Sequence, residues 1–283
     1  MSVVSRRHPV RLVAGAAILA AAFALSACSG SPTPAATSGA AAEPTYVTEG
    51  KFTVATGEPA YEPWVLDNKP ESGKGFESAV AYAVADELGF AKDDVVWVRD
   101  TFEQAIAPGA KDFDVNLQQF SITDDRKKAV DFSSPYYETG QAVVTLKGSK
   151  AASAASIADL KGLLIGAATG TTSFAAIETV IAPSQGAQAF NNNDDAKAAL
   201  QNGQVDAIVL DVPTASYFVE DGVILGKLPA AEGTSDELGL VLAKDSSLTA
   251  SVTAAVDTLR ENGTLDDLAN TWLTDYTGIK ELQ

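Results

Sequence analysis

The chain has 283 residues, of which 46% are hydrophobic, enough for two domains that each bury a core. Its 37 acidic and 20 basic residues give a net charge of −17, so nucleic acid and anionic lipid surfaces are poor partners. The single histidine and the single cysteine, His8 and Cys28, lie near the amino terminus. Beyond them the sequence excludes His/Cys zinc sites, disulfides and histidine-based nucleophilic catalysis.

Residues 1–27 have the pattern of a signal peptide. Three arginines precede an apolar run, 12–25, that is too short for a typical membrane span. The run closes in Leu-Ser-Ala-Cys, which resembles a lipobox, although an ordinary secretory signal is the alternative. We expect cleavage before Cys28 and lipid on that residue. The mature chain would then have 256 residues and, without the three arginines, a net charge of −20.

Residues 28–49 are predicted to be the lipidated cysteine and a disordered tether. The segment is rich in Ala, Ser, Thr, Pro and Gly and shows no apolar periodicity. We therefore expect an extracytoplasmic protein that is anchored to the cell membrane only through the lipid on Cys28.

The first predicted strand, 51–56, leads into a loop with two prolines. Glu58, Tyr61 and Trp64 lie on this loop, at the carboxyl end of the strand, where open α/β sheets bind ligands. Packing in a core is the alternative role for Tyr61 and Trp64. Beyond the loop, apolar residues recur every four positions over 76–88 and Gly89 follows, which predicts an amphipathic helix with a glycine cap.

The stretch 112–137 carries the most informative motif. After a predicted strand, 95–98, and a short helix, 102–106, alternating apolar residues over 113–117 predict another strand. It ends in Ser-Ile-Thr-x-x-Arg, and Val-Asp-Phe-Ser-x-Pro-Tyr-Tyr follows. This pattern resembles the amino-acid-binding group, family 3, of the bacterial solute-binding proteins that serve ABC importers.

The resemblance implies that Arg126 binds the α-carboxylate of an amino acid, together with Ser121. A planar guanidinium suits this task, since it offers two parallel N–H donors. A solvated surface charge is the alternative for Arg126. Gln118 and Gln119 depart from the small polar residues associated with this position in several family members, which leaves their part in ligand selection open.

A second predicted lobe supplies the other half of the site. The strand 163–168 ends at Gly170, Thr171 and Thr172, a glycine and hydroxyl turn at a helix start, which can bind an anion. The resemblance implies that this turn holds the same carboxylate, and that Asp211, after the strand 205–210, pairs with the α-ammonium group. Capping of the following helices is the alternative for the threonines and for Asp211.

The resemblance implies a two-lobed α/β periplasmic-binding-protein-like fold with a ligand cleft and two crossing strands. The crossings are expected at 140–146 and 237–244, and helices at 194–200, 248–260 and 265–276. The predicted boundaries are 50–141 plus 236–283 for the first lobe and 142–235 for the second.

We expect a monomeric lipoprotein that captures a free polar amino acid and delivers it to an ABC transporter permease, without a cofactor, metal or nucleic acid. A cyclohexadienyl-dehydratase-like enzyme on the same fold, and a ligand sensor without transport, are the alternatives. Glu58 beside Tyr61, with Gln118 and Gln119, favours a neutral or cationic ligand side chain over an acidic one, provided that Glu58 does not face solvent.

Overall fold

The computed structural model describes residues 44–218, 221–230, 237–273 and 278–283. The predicted signal peptide, Cys28 and the tether before residue 44 lie outside this part of the chain. Among the helices of the described ranges, none has the length and apolar character needed to span a membrane.

The strands of the described chain form two five-stranded sheets. In chain order they are β1 (Phe52–Thr56), β2 (Val95–Arg99), β3 (Val115–Asn116), β4 (Val130–Glu138), β5 (Gln141–Leu146), β6 (Ile165–Ala168), β7 (Gln188–Phe190), β8 (Ala207–Asp211), β9 (Gly222–Lys227) and β10 (Glu237–Ala243).

Helices flank both sheets. In chain order they are α1 (Phe76–Glu87), α2 (Phe102–Ile106), α3 (Asp124–Lys127), α4 (Ile157–Leu160), α5 (Thr172–Ala176), α6 (Asn193–Gln201), α7 (Val212–Phe218), α8 (Thr249–Glu261) and α9 (Thr264–Trp272).

The first sheet has the strand order β2-β1-β3-β10-β4, with β1 parallel to β2 and β3, and β10 antiparallel to β3 and β4. All five residues of β1 are buried, as expected of a central strand that is covered on both faces. Its side chains alternate between two apolar cores: Phe52 and Val54 pack with α1 and α8, whereas Ala55 packs with Phe113 and Phe120 on the other face.

The second sheet has the order β7-β6-β8-β5-β9. Its central strand β8 is parallel to β6 and antiparallel to β5. Ala207 and Val209 enter one core, and Ile208 and Leu210 enter the other. Each sheet thus has helices and apolar cores on both faces, and the predicted two-lobed α/β fold is confirmed.

The chain changes lobe where the crossings were predicted. β4 belongs to the first sheet and β5 to the second, while β9 belongs to the second and β10 to the first. The last residues require a correction, because 278–283 was assigned to the first lobe. Leu282 is buried in a core of the second lobe, and its N–H donates to the Lys227 carbonyl at 2.8 Å.

The predicted tether also ends earlier than residue 49. Tyr46 packs edge-on against Phe90, with ring centroids 4.9 Å apart. The backbone N–H of Val47 donates to the Asp114 carboxylate at 2.7 Å. An aromatic ring and a buried acceptor therefore fix 44–49 to the first lobe, and the prediction of a tether over these residues is wrong.

Three strands were not predicted: β4, β7 and β9. β4 contains Pro135, which cannot donate to a sheet ladder, but the strand is at the edge and its register with β10 shifts at Gly239, opposite the proline. β7 has only three residues and β9 is the other edge strand of its sheet. Such strands carry little apolar alternation in sequence.

Candidate functional site

A cavity of about 330 Å³ lies between the two lobes, at the carboxyl ends of strands from both sheets. This volume lies in the range of small-molecule sites, roughly 300–1,000 Å³. Seven of the eleven predicted site residues line it: Glu58, Tyr61, Gln118, Gln119, Thr171, Thr172 and Asp211. The other four, Arg126, Ser121, Gly170 and Trp64, are not among its lining residues.

A chain of hydrogen-bonded side chains joins the lobes beside the cavity. Ser121 Oγ of the first lobe lies 3.0 Å from Thr172 Oγ1 of the second. Gln141, the first residue of β5, donates from Nε2 to Thr172 Oγ1 at 3.3 Å and to Asp211 Oδ1 at 2.8 Å. Ser173 Oγ donates to Gln141 Oε1, so the amide nitrogen faces the carboxylate. Asp211 is therefore held at the cavity wall by a neutral donor.

Arg126 lies at the same junction, on the short helix α3. Thr123 caps this helix by accepting a hydrogen bond from the backbone N–H of Arg126. The guanidinium donates from Nη1 to the Ser121 carbonyl at 2.7 Å and from Nη2 to the Gly170 carbonyl of the other lobe at 3.0 Å. The Phe102 ring lies 5.2 Å from the guanidinium carbon. Arg126 is thus held by backbone carbonyls from both lobes.

The electrostatics of Arg126 exclude the alternative of a solvated surface charge. The residue is only 9% exposed, and burial lowers its pKa to about 10, against the opposing effect of the Asp211 carboxylate. The guanidinium therefore stays charged at neutral pH. Within the described ranges, no ion pair includes Arg126. A buried cation without an ion-pair partner is a favourable place for an anionic group of a ligand.

The turn that follows β6 is organised as predicted. Gly170 has φ +73°, a left-handed conformation that glycine adopts without strain. Thr171 Oγ1 accepts a hydrogen bond from the Phe174 N–H at 3.1 Å, so this threonine caps α5. Capping of α5 and contact with the cavity therefore occur together, because Thr171 caps the helix and both Thr171 and Thr172 line the cavity.

Tyr61 reaches from the first lobe to the start of α6 in the second. Its hydroxyl is hydrogen-bonded by the backbone of Asn193 and Asp194. Burial, followed by the negative charge of Asp194, raises the pKa of Tyr61, so the phenol is neutral. Tyr61 therefore lines the cavity and contacts both lobes.

Glu58 lines the cavity, but its carboxylate is already partnered. Arg99 Nε lies 3.3 Å from Glu58 Oε2, and Asn68 Nδ2 donates to Glu58 Oε1 at 2.7 Å. The expectation that Glu58 acts as the acceptor for a ligand side chain is therefore weakened, since Arg99 compensates its charge.

Gln119 is fixed by a fully buried acid that the sequence reasoning missed. Its backbone N–H donates to Glu77 Oε1 at 2.8 Å and its side-chain amide donates to Glu77 Oε2 at 2.5 Å. Tyr136 donates from its hydroxyl to Glu77 Oε1. Burial, and to a smaller extent the charge of Asp211, raises the pKa of Glu77 from 4.5 to about 7, against the opposing effect of these hydrogen bonds. Gln118 Nε2 donates to Asn116 Oδ1 at 3.0 Å.

Trp64 requires a correction, because it was a candidate ligand contact. Its side chain is completely buried in the core of the first lobe, 6.1 Å from Phe76 and 5.9 Å from Tyr137 between ring centroids. Its indole N–H donates to Thr214 Oγ1 in the second lobe at 2.8 Å. Trp64 therefore packs in a core and contacts the other lobe, which is the alternative that the sequence left open.

Several residues that line the cavity were not predicted. Asp100, Phe102 and Glu103 follow β2, and 191–193 follow β7. The rule that identified the loop after β1, namely that ligands bind at the carboxyl ends of strands, applies equally to these loops. The three consecutive asparagines at 191–193 were the visible signal in the sequence.

Two α/β lobes around a polar cavity, with hydrogen bonds across the cleft, define a two-lobed ligand-binding protein. The model of bacterial extracellular solute-binding proteins, family 3, matches residues 53–275. This chain belongs to that family, which confirms the family predicted from the motif.

Among similar proteins, the L-arginine-binding protein of Pseudomonas aeruginosa is 31% identical over 221 residues, 73% of this chain and 82% of that protein. The ABC transporter glutamine-binding protein GlnH of Bacillus subtilis is 30% identical over 212 residues, 73% of this chain and 76% of that protein.

Two solved structures share the fold. An ancestral arginine-binding protein bound to glutamine is 31% identical with a TM-score of 0.65, covering 80% of this chain and 98% of that one. The ancestral amino acid-binding protein AncCDT-1, described as a precursor of cyclohexadienyl dehydratase, is 30% identical with a TM-score of 0.66, covering 80% and 96%.

Proposed function

We propose that this protein binds a polar amino acid in the cavity between its lobes and delivers it to an ABC transporter permease. The observation that carries the proposal is that the buried Arg126 guanidinium of the first lobe lies close enough to interact electrostatically with the Asp211 carboxylate of the second lobe, which lines the cavity. A zwitterionic α-amino acid needs one partner of each sign. The two relatives named above are an L-arginine-binding protein and a glutamine-binding protein, which supports the same ligand class here.

In this proposal the α-carboxylate is bound by Arg126, with the hydroxyls of Ser121 and Thr172. A guanidinium has five N–H donors, and the carbonyls of Ser121 and Gly170 accept from two of them. The α-ammonium group is bound by Asp211, which Gln141 holds at 2.8 Å. Because these groups come from both lobes, the ligand favours the form in which the lobes are together.

The membrane anchor and the oligomeric state are further parts of the proposal. In this proposal Cys28 carries a lipid, which the lipobox-like Leu-Ser-Ala-Cys run supports, and the chain acts as an extracytoplasmic monomer. Cys28→Ser is expected to move the protein from the membrane fraction to the soluble fraction, or to leave it uncleaved. Unchanged processing and detergent partitioning of this variant would contradict lipidation.

The ligand-binding part is tested with ligands that lack one charged group. Calorimetry compares L-arginine with agmatine, which lacks the α-carboxylate, and with the α-keto analogue, which lacks the ammonium group. Each omission is expected to weaken binding at least about 30-fold, since one charged partner is left buried and unpaired. Measurable and equal affinities for the three compounds, or no binding of any of the twenty amino acids, would contradict the proposal.

An enzyme is the second candidate, because the similar structure AncCDT-1 is described as a precursor of cyclohexadienyl dehydratase. Elimination requires a positioned acid or base, and the cavity wall contains Asp100 and Glu103. Incubation with prephenate or arogenate, followed by chromatography of the products, separates the two functions. Product formation that is lost in Asp100→Asn would favour the enzyme; recovery of unchanged substrate is the outcome that our proposal expects.

A further inference from the structure

The wall of the cavity formed by the α2 segment carries two acids with no ion-pair partner. Asp100 and Glu103 both line the cavity. Within the described ranges, neither carboxylate has a basic nitrogen within 4.0 Å. Asp100 Oδ1 accepts a 2.8 Å hydrogen bond from the Thr101 N–H, and the hydrogen bonds of the described residues leave Oδ2 without a donor. This wall therefore presents two carboxylates to the cavity that have no close ion pair among the described residues, and Lys111 acts on Asp100 only at longer range.

Glu58, the neighbouring acid on the cavity wall, differs from Asp100 and Glu103 because it has an ion-pair partner. The carboxylate of Glu58 is paired with Arg99, whose guanidinium also donates to the Gly57 carbonyl at 2.5 Å and to Asn68. Arg99 is thus occupied on the Glu58 side and does not neutralise Asp100, although the two residues are adjacent in sequence. Among the described residues, no lysine or arginine lines the cavity itself.

The position of Asp100 in the sheet determines how long a ligand must be to reach it from Arg126. Its backbone N–H donates to the Thr56 carbonyl at 3.0 Å, so it lies at the carboxyl end of β2, beside the end of β1. Ser121 and Arg126 follow β3, on the other side of β1. Neighbouring strands are about 4.8 Å apart, so the two ends are separated by roughly 10 Å. A ligand held by Arg126 needs a long side chain to reach Asp100.

We infer that the ligand is a basic amino acid with a long side chain, of the arginine or lysine type, and that Asp100, assisted by Glu103, binds its cationic end. The inference rests on the proposed function, because the α-groups of the ligand fix the other end of the molecule. An amide side chain of glutamine would leave the acids of this wall uncompensated, whereas a guanidinium or ammonium group neutralises them.

The titration of Asp100 agrees with this assignment. Burial is the largest cause that raises its pKa; Asp112 raises it further and Lys111 opposes them. Lys111 donates to the carbonyls of Gln104 and Ala107. A ligand cation binds the ionised carboxylate, so affinity for arginine is expected to fall as the pH is lowered through the pKa of Asp100.

The test compares L-arginine with L-citrulline, a neutral ligand of nearly the same shape, by calorimetry on the full folded chain. Wild-type protein is expected to prefer arginine by about 10- to 100-fold, and Asp100→Asn is expected to lower this preference at least tenfold. Glu103→Gln is expected to lower it less. Asp86→Asn, an exposed acid on α1 away from the cavity, is the matched control and leaves the ratio unchanged.

The outcomes separate this inference from the proposed function. Tighter binding of glutamine or citrulline than of arginine and lysine would overturn the inference while an amino-acid ligand remains. A preference for arginine that persists in the Asp100→Asn, Glu103→Gln double variant would also overturn it, because another part of the cavity would then select the charge. Absence of binding for every amino acid would instead overturn the proposed function.

Discussion

The indole N–H of Trp64 donates a 2.8 Å hydrogen bond to Thr214 Oγ1 across the boundary between the lobes. Both residues are buried: the exposed fraction is 0% for Trp64 and 1% for Thr214. A buried hydrogen bond between two rigid units stabilises one arrangement of those units, because separating the units leaves the donor and the acceptor without each other. The relationship links the apolar core of the first lobe to α7 of the second.

Thr214→Val is therefore expected to weaken ligand binding about fivefold, as the loss of one buried hydrogen bond costs about 1 kcal/mol. A double-mutant cycle with Trp64→Phe isolates the contact from the loss of ring packing. Ser216→Ala, an exposed position on the same helix, is the control. A coupling free energy close to zero between positions 64 and 214 would show that this contact does not hold the lobes together.

Arg126→Ala is expected to reduce amino-acid affinity by at least a hundredfold and to leave the fold intact, since the side chain bonds to carbonyls and to no carboxylate. Arg126→Lys is expected to retain little of the wild-type affinity, because the point charge of lysine cannot replace the planar donor pair of arginine. Lys127→Ala, at an exposed neighbouring position, is the control. Calorimetry on the folded variants measures these affinities. If the affinity of Arg126→Ala stays within a few fold of the wild-type value, Arg126 does not bind the ligand.

The buried Glu77 is expected to make stability depend on pH. Its pKa in the folded protein is about 7, above the ordinary value of 4.5. An acid with a raised pKa contributes stability below its unfolded pKa, and this contribution is lost as the pH rises through the folded pKa. The free energy of unfolding is therefore expected to fall between about pH 4.5 and 7.

Urea unfolding at a series of pH values measures this effect. Glu77→Gln is expected to flatten the profile in that window, while Glu87→Gln, an exposed acid on the same helix, leaves it unchanged. If the profiles of wild-type protein and Glu77→Gln have the same slope, another group is responsible for the pH dependence.

Gly75 is expected to tolerate no side chain. It has φ +99°, and a Cβ atom there would lie 2.5 Å from the carbonyl oxygen of Trp64, a backbone atom that cannot move freely. Gly109 also has a positive φ, +126°, but a Cβ atom there meets nothing within 4 Å. Gly109→Ala is expected to cost about 1–2 kcal/mol of stability, and Gly75→Ala several kcal/mol. Equal losses in thermal unfolding would mean that the steric clash is relieved.

Much of the fold could be predicted from the sequence. The apolar repeat over 76–88 predicted α1, and the left-handed Gly89 follows its end as expected. The continuous apolar run over 205–210 predicted β8. The motif around Arg126 gave the family, because a contiguous pattern of two dozen residues is far more specific than any single residue.

The site could be predicted only where a motif or a strand end pointed to it. The loops after β1, β3 and β6 and the carboxyl end of β8 were found in this way, and residues of each line the cavity. Asp100 and 191–193 obey the same rule but follow an edge strand and a three-residue strand, whose signals are weak. Glu77 lies inside a helix, and no periodicity marks a buried acid there.

The sequence alone determined the two-lobed class, through the motif around Arg126, seven of the ten described strands, and the residues able to carry charge. Only the tertiary structure decided how those charges are paired. It pairs Glu58 with Arg99, leaves Asp100 without an ion pair within the described part of the chain, and buries Trp64 in a core. It also places the carboxyl-terminal residues on the second lobe. The reason is physical: apolar periodicity is a local property of the chain, whereas pairing and desolvation depend on distances between residues that are remote in sequence.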